Sequence, residues 1–463
     1  LNLFRVIRVI RGPCIFIFAC GKVLFRVNNN FSICSHEHEE LQGDTVDDGQ
    51  VSLGNFVQNF VLLCATSIRC HLCVFQNTTS INQTDFTVND YLCKKAVLKI
   101  LVVSNYSGIS SSRPEAELML GLARKGVSIT IMTPGKAEYV PAFEQAGIRV
   151  IDFQPRKKFD RNEISFMRQE LMDGDYDVVH LFNGKAIING LKAAKGLRTK
   201  VVLYRGYCGH IHWWDPTAYF KFLHPRADAI WCIAPAVADL INRNILFGRK
   251  KAFCIAKGHD PHWYENIEAT PLHEFNLPPD AFVVSMVANA RRMKGIKYLI
   301  RSTFYIDSTL PVYILLIGRG LDSPDIKKLV EKSPLRNRII FTGYRPDANG
   351  LVKNSDVFVL SSIFGEAICK SVIEAMSLGV APVITDIPGN RGLVENFESG
   401  LVIPRKDPEA IARSVERLYR APDERINMAV AAQERIKSHY HIQDTIEKMF
   451  AFYQKLTETG VVK

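Results

Sequence analysis

Nowhere in the 463 residues do the roughly 18 consecutive apolar residues needed to cross a bilayer occur. The runs "CIFIFAC" and "FVLLCAT" stop well short, so no membrane-spanning helix is expected. The opening "LNLFRVIRVIRGPCIFIFACGKVLF" has a basic start and an apolar centre but no small-residue cleavage site, so export is not expected. Cysteine is scarce after residue 97, where Cys208, Cys232, Cys254 and Cys369 are spread singly, as in a reduced domain without a disulfide framework. Cys70 and Cys73 have zinc-like spacing, yet no second pair or histidine follows at a matching interval. No acidic cluster is assigned to a metal, and no metal site is expected. The chain also lacks the alternation of aromatic and basic residues, and the helix-turn-helix or zinc-finger patterns, that would point to nucleic acid.

Acidic residues are outnumbered, 47 against 58 Lys and Arg, for a formal net charge of +11. An excess of this sign favours anionic partners: a nucleoside diphosphate, or an anionic membrane surface. Arg124-Lys125, Arg156-Lys157-Lys158 and Arg249-Lys250-Lys251 are the charge runs, each with solvated surface as its plain alternative.

Two textures divide the chain. Residues 1–96 show poor periodicity and Asn/Ser/Thr-rich pieces, and are read as an irregular, non-native extension or else a small accessory domain. From Val97, short apolar runs such as "VLKILVVSN" alternate with amphipathic helical segments, the pattern of parallel sheets covered on both faces. A second series of the same kind starts near Phe282, after a proline-bearing stretch without periodicity. The expected fold is therefore α/β, with two Rossmann-like domains facing each other across a cleft: residues 97–270, residues 271–440, and a last helix at 441–463 packing back toward the first domain.

The chemistry concentrates in "FGEAICKSVIEAM". Cys369, Lys370 and Ser371 open a predicted helix, where unpaired N–H groups and aligned peptide dipoles favour an anion such as a diphosphate. Gly365 and Glu366 lie in the loop before it and Glu374 one turn inside. Two carboxylates placed around an anion-binding helix end can accept hydrogen bonds from sugar hydroxyls. By itself such a pair is weak evidence, since solvated acids are the ordinary case.

The surrounding motifs strengthen it. Glu366, seven intervening residues, Glu374, then Ala375-Met376, Gly379, Pro382-Val383, Gly389 and "GLVIP", preceded by "MKG", "LLIGRG" and "FTGY", resemble the nucleotide-sugar-dependent retaining glycosyltransferases of family 4, which have the GT-B fold. The resemblance runs from Val97 to about Lys455. It implies transfer of a hexose or N-acetylhexosamine from a UDP- or GDP-sugar, without a cofactor, to a glycolipid, lipopolysaccharide or polysaccharide acceptor. The expected setting is cytoplasmic, with peripheral contact at the inner face of the plasma membrane. The alternative is a non-catalytic sugar-nucleotide-binding or scaffolding protein on the same fold.

By the same resemblance Lys294 contacts the donor phosphates, Glu374 holds the ribose, Glu366 the transferred sugar, and Gly365 with Cys369 to Ser371 the phosphate region. The arginine the family carries five residues before Lys294 is Asn289 here, with Arg291 or Arg292 as substitutes or as plain surface residues. Where many relatives have a histidine near the sugar, this chain has Arg205, followed by His210 and His212. Gly108 takes the place of a glycine loop, and Lys257 and His259 of "KGHD" end a strand at the cleft. Trp213 and Trp214 are read as either a sugar-stacking pair or core, and His180 as either structural or functional.

Overall fold

The computed structural model describes residues 97–459, apart from Phe247 and the side chains of Ser110, Ser111 and Thr459, together with the backbone of three short strands near the start. The chain divides into two compact units, Leu1–Leu92 and Cys93–Lys463. In the first, β1 (Cys14–Ala19), β2 (Lys22–Val27) and β3 (Asn30–Cys34) form an antiparallel sheet. The pair Cys70 and Cys73 lies outside the described residues.

The second unit contains two parallel sheets. β4 (Lys99–Val103), β5 (Ser128–Thr133), β6 (Arg149–Asp152), β7 (Val178–Leu181), β8 (Lys200–Arg205), β9 (Ala229–Cys232) and β10 (Ala252–Cys254) pair in the order β10-β9-β8-β7-β4-β5-β6. β11 (Phe282–Val287), β12 (Val312–Ile317), β13 (Ile339–Gly343), β14 (Val357–Leu360), β15 (Ala381–Thr385) and β16 (Leu401–Ile403) pair in the order β13-β12-β11-β14-β15-β16. The order reverses between β4 and β7 in the first sheet and between β11 and β14 in the second. The loops leaving such neighbours diverge to opposite faces and open a crevice at the carboxyl ends of the strands.

Sequence pattern explains the layers. β7, β9, β14 and β15 are buried along their whole length, as expected of central parallel strands covered by helices on both faces. In β11 and β12, Val284, Met286, Ile314 and Leu316 enter one core, whereas Val283, Leu315 and Ile317 enter the other. This is the two-residue alternation of a pleated strand. The last helix, Ile442–Thr459, packs into the core of the first sheet through Ile442, Ile446, Met449, Tyr453 and Leu456. Two Rossmann-like domains thus form a cleft.

Gly108, expected in a glycine loop, is the N-cap of the helix that follows β4, which begins at Ile109 and continues to Arg124. Ser112 supports the first turn by donating from both N and Oγ to the Gly108 carbonyl, at 3.1 and 2.7 Å.

Candidate functional site

The reversal between β11 and β14 supplies the two loops that matter. After β11 the chain makes a short turn, Arg292–Lys294, closed by Gly295 at φ +65°. A Cβ on Gly295 would lie 2.0 Å from the Ser361 carbonyl oxygen, so glycine lets this turn sit against the loop after β14. Ile363 N completes the contact by donating to Met293 O at 2.7 Å. Lys294 is thereby aimed at the second loop: its Nζ lies 2.6 Å from Glu366 Oε1 and 3.6 Å from Cys369 Sγ.

Burial works against the Lys294 charge, but Cys369 and Glu366 beside it hold its ammonium above the ordinary lysine range. Burial also pushes the Cys369 thiol up. Ser362 Oγ donates to the same Oε1 at 2.9 Å. Glu366 Oε1 is therefore pinned from two sides, while Oε2 has no hydrogen bond among the described residues. Glu374 repeats the pattern: Oε1 pairs with Lys370 one turn earlier, and Oε2 has no hydrogen bond among the described residues. A carboxyl group held by a cation through one oxygen is fixed in orientation and offers the other oxygen to hydroxyl donors.

Between the acids, the helix Lys370–Ser377 starts with Cys369 as N-cap, in extended conformation and with no side-chain hydrogen bond to the first amides. Cys369 Sγ instead contacts Ser371 Oγ at 3.3 Å. Val372 N donates to Cys369 O at 3.1 Å, and the Lys370 and Ser371 N–H groups are left for an incoming acceptor atom.

The first domain reaches this corner through residues 205–210. Gly365 O accepts from Cys208 N at 3.1 Å, and Tyr207 and Glu366 form an isolated antiparallel bridge. Gly365 has φ +84°, and a Cβ there would lie 2.7 Å from the Tyr207 ring. Arg205, at the end of β8, holds this segment in shape: Nε donates to Tyr207 O at 2.9 Å and Nη2 to Gly209 O at 2.6 Å, with the guanidinium over Phe222. Burial lowers its pKa. His210 is exposed, at φ +55°, with its ring stacked on Tyr207.

Lys294, Gly365, Glu366, Cys369, Lys370, Ser371 and Glu374 are thus gathered at one corner, with Arg205 and His210 joined to it through Tyr207. The other candidates are placed differently. Lys257 Nζ lies 2.6 Å from Glu115 Oε1 inside the first domain, and Glu115 and Tyr204 raise its pKa against the effect of burial. At Gly108, the helix start that would receive an anion already has its Ile109 amide bonded to Glu138 Oε2 at 2.7 Å. Arg291 is exposed and its carbonyl accepts from Lys294 N, whereas Arg292 lines a separate cavity. His180 is fully buried with Nδ1 2.6 Å from Tyr453 Oη, and His259 is buried with Nδ1 2.8 Å from Tyr264 Oη. Trp213 and Trp214 are 52% and 65% exposed, which removes the reading that makes them core.

Sequence reasoning missed Tyr207 and Ser362, and held Gly295 only as the last residue of "MKG". Tyr207 carries no local signal, but the doubled small residues around Ser361-Ser362 and the Lys-Gly pair at 294–295 could have flagged a close approach of two loops. It also passed over Asp173, Asp175 and Asp177, which have the alternating spacing of a metal-binding acidic motif. They are structural: Asp173 accepts from Gln169, Asp175 pairs with Arg198, and Asp177 accepts from Lys99 N at 2.9 Å. Among the described residues no group of three His, Cys, Asp or Glu side chains could hold a metal ion.

Residues 272–435 match the family of glycosyl transferases group 1, and residues 116–263 match glycosyltransferase family 4. The chain has the GT-B fold and is related to these two glycosyltransferase groups. Among solved structures, this GT-B chain resembles a glycosyltransferase from Rickettsia africae, at TM-score 0.66 and 16% identity over 79% of this chain and 100% of that one. It also resembles Anabaena Alr3699/HepE in complex with UDP, at TM-score 0.63 and 17% identity over 78% of this chain and 100% of that one. Two lipopolysaccharide core biosynthesis glycosyltransferases of Rhizobium meliloti, LpsD and LpsE, are 24% and 25% identical over 41% and 48% of this chain. The matched regions span 53% and 62% of those relatives.

Proposed function

We propose that this chain transfers a hexose or N-acetylhexosamine, with retention of anomeric configuration, from a nucleoside-diphosphate sugar to a glycan or lipid-linked acceptor. The observation that carries the reading is the Lys294–Glu366 pair beside the uncapped start of Lys370–Ser377, at the point where the strand order reverses. The diphosphate sits against the first amides of that helix with Lys294 alongside. Glu374 Oε2 accepts from the ribose hydroxyls and Glu366 Oε2 from those of the transferred sugar. Sugar–phosphate cleavage builds negative charge on the departing phosphate, which the Lys294 ammonium and the helix amides stabilise. Tyr207 and the segment held by Arg205 close the cleft over the donor.

Donor choice between UDP- and GDP-sugars fits the UDP named in the HepE structures, and an acceptor of the lipopolysaccharide type fits the names of LpsD and LpsE. Peripheral contact with an anionic membrane face fits the net charge of +11. The test is a panel of nucleotide sugars offered to the protein with glycan and lipid-linked acceptors, scored by released UDP or GDP and by the anomeric proton coupling of the product. A folded protein that neither binds nor turns over any donor overturns the reading. An inverted product overturns the stereochemical part alone.

A further inference from the structure

The loop after β14 faces two ways. Gly365 and Glu366 meet Tyr207 and Lys294, whereas Ile363 and Phe364 line a cavity of about 400 Å³. Arg292, Lys297, Arg405 and Lys406 also line it, with Tyr298, and no carboxylate does. These four cations come from the turn after β11, the helix Ile296–Ser302 and the turn after β16.

None of the four makes an ion pair with a described residue. The nearby acids have hydrogen-bond partners of their own: Asp386 pairs with Arg391, with Arg405 acting on it only through its field, and Asp407 accepts from Ala410 N to cap the helix Pro408–Arg420. Four like charges around one cavity repel one another, each pair by about 1 kcal/mol or less when solvent screens it. A dianion among them would reverse that sign. Lys406 is held at φ +61°, a conformation that costs a non-glycine residue about 1 kcal/mol or more. Two aromatic rings complete the wall: Phe364 is 40% exposed, and Tyr298 lies under Lys297 Nζ, 5.2 Å from the ring centroid. Cations beside exposed ring faces are what a phosphorylated sugar needs, because the phosphate takes the charges and the apolar face of the sugar ring takes the aromatic surface. The volume falls within the usual range for small-ligand sites, roughly 300–1,000 Å³.

We propose that this cavity binds a phosphorylated sugar of the acceptor, with its phosphate among Lys297, Arg405 and Lys406 and its ring against Phe364. Calling that sugar part of the acceptor rests on the transferase reading; the ligand chemistry does not. An acceptor anchored at Phe364 is held by the same loop that presents Glu366 to the donor.

The test is calorimetry on the full chain with UDP at saturation, so that the diphosphate corner is filled, using glucose 6-phosphate, glucose and inorganic phosphate as probes. Glucose 6-phosphate is expected to bind about tenfold or more tighter than either of the others. The double variant Lys297→Gln/Arg405→Gln should weaken it about tenfold while UDP affinity stays within about twofold. Phe364→Ala should weaken glucose 6-phosphate but not inorganic phosphate. Equal binding of glucose and glucose 6-phosphate, inorganic phosphate binding as tightly as the sugar phosphate, or a double variant that binds as the parent does would each overturn the proposal. Loss of UDP binding with glucose 6-phosphate still bound would count against the transferase reading and leave the anion site standing.

Discussion

Lys294 Nζ lies 2.6 Å from Glu366 Oε1, one group on the loop after β11 and the other on the loop after β14. Both side chains are largely buried, so each needs the other: removing one partner strands a charge at a cost of about 3–5 kcal/mol. Lys294→Ala is expected to slow transfer by about 10²–10³-fold through lost stabilisation of the leaving phosphate. Glu366→Gln should act at the same step, and the double variant should be far less impaired than the product of the two single effects. Steady-state kinetics on the four proteins checks this, and multiplicative effects would contradict it.

Glycine positions around the corner give a sharper steric test. A Cβ on Gly389 would lie 1.7 Å from the Glu366 carbonyl oxygen, whereas Gly392, three residues on, has φ +87° and nothing within 4 Å. Gly392→Ala should therefore cost about 1 kcal/mol of backbone strain and leave transfer unchanged. Gly389→Ala must move the Glu366 backbone, and should cost more than about 2 kcal/mol in urea unfolding and depress turnover as well.

Arg205 is expected to matter for shape rather than for chemistry. Its fork holds two carbonyls that a lysine cannot engage together. Arg205→Lys should lower stability by about 1–3 kcal/mol and raise the donor KM as the Tyr207 segment loosens. Lys294→Ala, by contrast, should lower kcat. Thermal melts and kinetics on the same preparations separate the two.

Two buried histidines set the acid limit of the fold. Burial drives the His180 pKa down to about 3, and burial followed by the charges of Lys370, Lys257 and Arg113 drives that of His259 well below its ordinary value. Both are neutral when folded but take up protons when unfolded, so stability is whole above about pH 6.5 and declines as pH falls below it. Each contributes a slope of up to about 1.4 kcal/mol per pH unit. Urea unfolding between pH 7.5 and 5 should show the decline, and His180→Gln should remove about one proton's worth of slope.

Fold was legible because parallel strands buried on both faces are written as short apolar runs, as at "KILVV" and "VFVL". The start of Lys370–Ser377 was legible for a related reason, since the break before it and the apolar spacing within it are local. What stayed hidden was pairing at a distance. Nothing near Lys257 announces Glu115, and nothing near Gly365 announces Tyr207. Both contacts exist because separate loops converge at strand ends, and no single stretch of residues encodes that convergence. The buried polar pairs His180–Tyr453 and His259–Tyr264 were illegible too, because a histidine on a strand reads the same whether its partner is solvent or a tyrosine.

The helix Ile442–Thr459 has a consequence for how the molecule is made. Tyr453, completely buried, meets His180 of β7 across 273 positions of chain. A ribosome releasing the polypeptide in order will have delivered all seven strands of the first sheet long before the side chains that seal one face of it. That half waits, apolar surface uncovered, until the last helix emerges, so nascent chains halted before residue 442 should be the ones that chaperones retain.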